Sequence, residues 1–192
     1  RMTENEQTAA KAELRNSLRV ARASRSYDSD EAGRLSEQLG QFCIDNKIRT
    51  AAAYLALAGE PDIGGFLGWA SNNGIALILP KVSGNDLRWV SFDGSTGVSE
   101  LGFEEATGKA ARLSDADVIF MPAMAVDLSG NRLGKGKGFY DRALEEFRGQ
   151  KRRPKFVAVV FDEEVFTKIA SEPHDQQVDL AITASKVIWF NR

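Results

Sequence analysis

The sequence holds one cysteine, Cys43, and one histidine, His174, in 192 residues. A lone cysteine excludes an intrachain disulfide and any cysteine-rich metal site, and it fits a reducing compartment. A lone histidine in the turn Pro173-His174 reads as an exposed turn residue, and gives little support to a Ser-His-Asp triad or a histidine metal cluster. Long apolar runs are missing as well: no stretch approaches the ~20 residues needed to span a bilayer. The polar first ten residues contain no apolar signal core. The expected location is therefore cytoplasmic, with residues 1–10 a disordered tail and Arg1 ahead of Met2 a remnant of cloning. Strong charge of one sign is also missing: a net charge of −2 argues against general nucleic-acid or membrane binding. No repeat of ~20–50 residues is visible, which excludes solenoids and propellers.

What remains is 43% hydrophobic and 27% charged, the composition of a globular chain, and its length fits one domain spanning 1–192. Leu14, Leu18 and Ala21 form an apolar stripe that predicts a helix over 11–25. Asp28 and Glu31 have capping-box spacing ahead of a second amphipathic helix carrying Leu35, Leu39 and Phe42. Short, almost continuously apolar runs follow at 51–57, 75–79, 117–121 and 156–161, as strands covered on both faces require. Leu87–Phe92 alternates after the turn Ser83-Gly84-Asn85-Asp86, so it is read as antiparallel. Helices are expected over 140–147 and 162–170, and an excursion at the sheet edge or over a cleft at 94–108. The expected fold is α/β: a single three-layer α/β/α domain with a mainly parallel sheet and an N-terminal helical pair.

The densest chemistry lies between Asp127 and Arg142, after an apolar strand and before a helical pattern. Open α/β sheets put ligands at such strand-to-helix turns. Gly134, Gly136 and Gly138 let the backbone approach a ligand, and successive N–H groups there can cradle an anion, with the next helix's N-terminus adding partial positive charge. Arg132, Lys135 and Lys137 supply full positive charge. Asp141 beside them makes sense if a hard cation accompanies phosphate. Neither familiar nucleotide motif is present: Ser129 stands at the first glycine of a P-loop and Gly136 where its Ser or Thr belongs, and the every-second-residue glycines break G-x-G-x-x-G. On residue types alone a basic surface turn and a phosphate site both stand.

The run Arg132-Leu-Gly-Lys-Gly-Lys-Gly-Phe-Tyr-Asp-Arg142 resembles the signature of the 5-formyltetrahydrofolate cyclo-ligase family. Lys11-x-x-x-Arg15, Gly59-Glu60, Leu79-Pro80, Pro173-His174-Asp175 and Val178-Asp179 agree with it in order, so the resemblance spans residues 11–183. It implies an ATP- and Mg²⁺-dependent enzyme whose partners are ATP and a reduced folate, without nucleic acid or membrane, acting as a monomer or weak homodimer. By resemblance, Lys11 and Arg15 reach the nucleotide, and the stretch Arg132, Leu133, Gly134, Lys135, Gly136, Lys137, Gly138, Phe139 and Tyr140 lines it. Lys135 to Phe139 are shared with the folate, which Leu55 and Glu60 hold from the other side; Arg132, Lys137 and Tyr140 are the catalytic candidates. Asp141 and Asp179 are the expected Mg²⁺ ligands, with Asp175 the lesser candidate.

Blander readings stand beside these. Lys11, Arg15, Arg19 and Arg22 share one helix face, which by spacing alone is a solvated face, and Arg19 and Arg22 are expected to remain surface. Glu60 before Pro61 suits a helix N-terminal acid, and Lys151-Arg152-Arg153 a solvated turn. Phe139 stands where many members of the family carry Tyr, which keeps stacking and removes a hydroxyl. A noncatalytic folate or nucleotide binder and a small-molecule phosphotransferase are the competing functional readings.

Overall fold

The computed structural model describes residues 2–190. In chain order its regular elements are α1 (Glu4–Ala23), α2 (Ser29–Asp45), β1 (Thr50–Ala52), α3 (Gly64–Asn72), β2 (Ala76–Ser83), β3 (Asp86–Phe92), β4 (Thr96–Val98) and β5 (Glu104–Ala106). They continue with β6 (Val118–Pro122), β7 (Ala125–Asp127), β8 (Arg132–Leu133), α4 (Phe139–Leu144), β9 (Lys155–Val159), β10 (Val165–Phe166), β11 (Leu180–Ile182) and β12 (Val187–Trp189). The main sheet has seven strands in the order β12-β11-β9-β6-β1-β2-β3. The five central strands pair in parallel, and β3 and β12 close the two edges antiparallel.

The apolar runs explain this sheet. Val118 and Phe120 point to one face, Ile119 and Met121 to the other, and all four are fully buried. On the first face α2 and α3 bring Leu35, Leu39, Phe42 and Phe66. There the Phe120 ring meets Phe42 and Phe66 edge-on, at 5.9 Å and 5.3 Å between centroids, each contact contributing ~0.5–1.5 kcal/mol beyond area burial. On the second face Leu144 of α4 and Phe147 of the 3₁₀ turn after it cover Phe156 and Ala158. The three layers expected from the sequence are present.

The two N-terminal helices have different tasks. α2 is part of the layer just described, and Asp28 caps it by accepting from the Asp30 and Glu31 backbone N–H groups. Its capping box is only half made, because Glu31 turns back to hold Arg25 at 2.8 Å and 3.1 Å. α1 instead lays Leu14 and Leu18 over Met124, Leu133 and Ile169, beside a small three-stranded sheet of β10, β7 and β8. α1 begins far earlier than its apolar stripe suggested. Thr3 and Glu6 form a full capping box, so residues 4–10 are helical rather than a disordered tail, and Arg1 lies outside the described residues. A second correction concerns 162–170: the spacing of Val165, Phe166 and Ile169 fits a helix, yet the segment is a 3₁₀ turn over Asp162–Glu164 followed by β10, which pairs with β7.

The chain order around β1 positions the site. From β1 the chain moves one way to β2 and β3, then returns to β6 on β1's other side and moves the opposite way. Side chains leaving β1 and β6 at their carboxyl ends therefore border a crevice at a topological switch point. The β4–β5 hairpin, within the expected excursion 94–108, stands over it.

Candidate active site

The crevice is a cleft of about 1000 Å³, at the upper end of the ~300–1,000 Å³ usual for small-molecule sites. Tyr54 and Leu55 leave β1 into it, and Glu60 follows in the next loop. Leu101, Phe103 and Glu105 of the hairpin region form the far wall. The near wall is the glycine loop, backed by α1.

Only part of the stretch 127–142 is that loop. Asp127 and Asn131 belong to the β7–β8 hairpin, where buried Asp127 accepts from the N–H groups of Ser129, Asn131 and Ile169. The loop proper runs from Gly134 to Gly138. Gly136 and Gly138 have φ of 100° and 67°, a region that L side chains rarely enter, so these two glycines are required by the turn. α4 behind it is only six residues long, so the positive character of the wall comes from side chains.

α1 clamps this loop along one face. Arg15 Nε donates to the Gly134 carbonyl at 2.8 Å, and one turn later Arg19 Nη2 reaches the Lys135 carbonyl at 3.4 Å. Arg19, expected as surface, is an exposed residue that nevertheless touches the loop. The expectation for Arg22 is overturned. It is buried, bidentate with Glu164 at 2.6 Å and 2.9 Å, and donates to the Ala123 carbonyl at 2.7 Å. A basic residue at helical spacing looks solvated only while its partner, 142 positions away, is unknown.

Arg132 is buried beneath the loop. Its Nη1 donates to the Pro122 carbonyl at 3.1 Å, its Nη2 lies 3.6 Å from Asp141 Oδ1, and its guanidinium stands 5.6 Å from the Tyr140 ring centroid. Tyr140 packs edge-on to Trp89 at 6.2 Å. Burial pushes the Tyr140 hydroxyl above the ordinary tyrosine range, and the Glu60 carboxylate adds to the rise. That hydroxyl is a proton donor at neutral pH. Lys135 and Lys137 are exposed to the cleft with Gly136 between them, and Lys135 Nζ lies 2.5 Å from Glu60 Oε1. Leu133 is buried under the loop, whereas Leu55 and Phe139 stay half-exposed at its rim.

At the α1 end, Lys11 is buried and pairs with Glu172 and with Asp175, the latter at 2.5 Å. This hydrogen bond from Lys11 holds the Glu172 carboxyl below the usual carboxylate range. Glu172, His174 and Asp175 offer ligand atoms within 4.8 Å of one another. Asp141 joins this end of the cleft, because its Oδ1 accepts from the Gln176 backbone N–H at 3.1 Å. Carboxylate oxygens are the ligands that a hard divalent cation prefers. His174 is exposed, as expected of a turn residue.

Asp179 is not brought to this group. Arg153 holds it bidentately at 2.8 Å and 3.0 Å, the Phe156 N–H donates to it at 2.8 Å, and it does not line the cleft. The parallel register of Leu180 with Val157 puts it there, beside β9. Of the two acids expected to hold Mg²⁺, Asp141 lines the cleft, whereas Asp179 is held beside β9. Arg153 likewise is half-buried in this contact rather than part of a solvated turn. Cys43 is on the core face of α2, away from the cleft, its thiol pushed up to about 12 by burial.

A model of the 5-formyltetrahydrofolate cyclo-ligase family matches residues 7–184. A Mycolicibacterium smegmatis protein named 5-formyltetrahydrofolate cyclo-ligase is 35% identical over 151 residues, covering 73% of this chain and 76% of that one. The NMR structure of an Aquifex aeolicus 5,10-methenyltetrahydrofolate synthetase superposes with a TM-score of 0.80 at 28% identity, covering 95% of this chain and 93% of that one. A Mycoplasma pneumoniae 5,10-methenyltetrahydrofolate synthetase, with a TM-score of 0.70 and 21% identity over 91% of this chain and 98% of that one, shares the fold.

Proposed function

The chain belongs to the 5-formyltetrahydrofolate cyclo-ligase family, and on that premise we propose that it closes 5-formyltetrahydrofolate to 5,10-methenyltetrahydrofolate at the expense of ATP. The observation that carries the reading is a single cleft in which a basic glycine loop faces a wall bearing a buried acid, Glu60, with Lys135 touching both. A triphosphate suits the first wall and the N–H edge of a pterin ring suits the second, since one carboxylate accepts two parallel hydrogen bonds.

In the proposed reaction the formamide oxygen of the folate attacks the γ-phosphate and ADP leaves. N10 then attacks the activated formyl carbon, phosphate departs from that carbon, and the N10 proton leaves with it. The protein's part is positioning and charge stabilisation, as phosphoryl transfer generally asks. Arg132 and Lys137 stabilise negative charge on the transferred group, and Tyr140 donates a hydrogen bond beside them. Arg15 holds the loop, and Lys11 and Arg15 hold the nucleotide from α1. Ring closure is intramolecular, so orientation by Leu55, Glu60 and the loop supplies much of the acceleration. Asp141, and Asp175 with Glu172 near it, are the residues that would hold Mg²⁺, which would neutralise phosphate charge if bound.

The test is direct. The protein is incubated with 5-formyltetrahydrofolate, ATP and Mg²⁺, the methenyl product is followed by its absorbance, and each component is omitted in turn. Product that depends on all three supports the reading. Binding of both ligands without product points to a noncatalytic binder, and phosphate retained on an acceptor points to a phosphotransferase.

A further inference from the structure

Among the described residues, three buried side-chain atoms have no hydrogen-bond partner: Tyr54 Oη, Glu105 Oε2 and Arg132 Nε. All three residues line the cleft. Buried polar groups are normally paired, so three unpaired ones converging on one cavity mark what its occupant must supply. Tyr54 is the sharpest case, because its side chain has one polar atom and that atom lacks a partner.

Tyr54 is 3% exposed. Its backbone follows directly on the last bond between β1 and β2, from the Ala53 N–H to the Ile78 carbonyl. Its ring belongs to the core cluster with Leu79 and Ala106. That packing fixes the ring, and with it the direction of the hydroxyl. A phenylalanine would fill the same space without leaving a polar atom unsatisfied, so for folding alone the hydroxyl is a liability. Burial raises the Tyr54 hydroxyl well above the ordinary tyrosine range, and the negative charge of Glu60 adds to it. It therefore keeps its proton and offers an O–H donor. Neighbouring acids do not take that donor: Glu60 is engaged by Lys135 and the Leu57 N–H, and Asp62 by Tyr27 and the Gly64 N–H.

We propose that Tyr54 is a specificity-determining residue for the folate, its hydroxyl donating to the ring carbonyl oxygen that adjoins the N–H edge held by Glu60. This rests on the reading of the cleft as a reduced-folate site. The pyrimidinone side of a pterin presents two N–H donors and then a carbonyl acceptor in one row. The carboxylate of Glu60 matches the two donors, and a neighbouring O–H donor matches the carbonyl. Acid and hydroxyl together distinguish that row from rings whose donors and acceptors are ordered differently, because the wrong ring leaves buried groups unpaired.

The test is the Tyr54→Phe variant of the full chain, compared with wild type for thermal midpoint, for direct binding of 5-formyltetrahydrofolate, and for KM of folate and ATP separately. The expected result pairs opposite signs: a midpoint equal to or above wild type, together with folate binding and folate KM weakened about fivefold, as loss of one neutral hydrogen bond implies. The KM for ATP is expected to stay within twofold, an effect below about 0.5 kcal/mol. A structural role for the hydroxyl would lower the midpoint and leave folate KM alone, and that result overturns the proposal. Equal folate affinity in the two proteins, or equal losses for folate and ATP, overturns it as well. The wild-type arm separates the two claims. Wild type that neither binds nor turns over the folate defeats the proposed function itself, and Tyr54's role with it; an active wild type with an unaltered variant defeats only the role of Tyr54.

Discussion

Lys135 Nζ stands 2.5 Å from Glu60 Oε1, an ion pair that ties the glycine loop to the opposite wall of the cleft. In the proposed function these residues serve different ligands, the lysine phosphate and the acid a pterin edge. Each neutralises the other while the cleft holds neither, which keeps a nearly buried carboxylate satisfied. Folate and nucleotide must then compete for a contact the protein already makes.

That relationship sets the first expectation. Glu60→Gln should raise the KM for 5-formyltetrahydrofolate by ~10–100-fold, the range for losing a charged hydrogen bond, while the KM for ATP changes far less. Lys135→Met should weaken both substrates, because it removes a phosphate contact and also leaves Glu60 uncompensated. The double variant should fall short of the sum of the two single effects. Steady-state kinetics on the four proteins checks this, and fully additive effects would separate the two residues.

The acids at the α1 end differ in kind, and substitution should sort them. Asp141→Asn and Asp175→Asn should each raise the Mg²⁺ concentration needed for half-maximal activity, by about tenfold or more if each removes one carboxylate ligand. Asp179→Asn should leave that Mg²⁺ dependence unchanged and instead lower stability by ~1–3 kcal/mol, since Arg153 and the Phe156 N–H lose a charged acceptor. Magnesium titrations and denaturant unfolding of the three variants read the two effects separately. A shifted Mg²⁺ requirement in Asp179→Asn would return that residue to the metal group.

Asp179 also shows where the sequence stops being legible. Asp175 and Asp179 both follow the Pro-His turn within a few residues, and nothing local separates them. What separates them is strand register: Leu180 opposite Val157 carries Asp179 to Arg153, while Asp175 stays in the loop facing Lys11. Spacing resolved the sheet better, because Val118–Met121 and Phe156–Val160 are apolar at every position, as strands buried on both faces require, and are too short for buried helices. It misread 162–170, where Val165, Phe166 and Ile169 suit either period and the pairing with β7 decides. The glycine loop was readable because Gly136 and Gly138 are dictated by backbone conformation. The unpaired Tyr54 hydroxyl was not, since burial and partnership are properties of the folded chain.

Lys11 provides a pH-dependent readout. Its hydrogen bond with Glu172 holds that carboxyl below the ordinary value of 4.5. A group whose folded pKa is depressed contributes stability above its unfolded pKa, and the contribution is lost as pH falls through the folded value. The contribution of this contact is therefore complete above about 4.5 and disappears below it. In Lys11→Met the depression is removed, so the variant should be destabilised at neutral pH, and the difference from wild type should shrink as the pH falls through the carboxylate range. Thermal unfolding of both proteins across that range checks the sign. A gap that widens on acidification would exclude Lys11 as the cause.

The Arg22–Glu164 pair offers the sharpest separation of scaffold from site. Both groups are buried, and the arginine also holds the Ala123 carbonyl just beyond β6, so the pair fastens α1 to the end of a central strand. Replacing Arg22 with Met keeps most of the apolar stem and leaves Glu164 charged and unmatched, a change that costs ~3–5 kcal/mol when one member of a buried pair is removed. Arg22→Met with Glu164→Gln leaves no buried charge, so the double variant should recover much of that loss. α1 carries Lys11 and Arg15 to the cleft by the same docking, and the activity that survives in the single variant should show a raised KM for ATP more than for folate. Denaturant unfolding gives the stability pattern and kinetics gives the split. A double variant no more stable than Arg22→Met would mean that the Ala123 contact, not the charge pair, is what holds α1 in place.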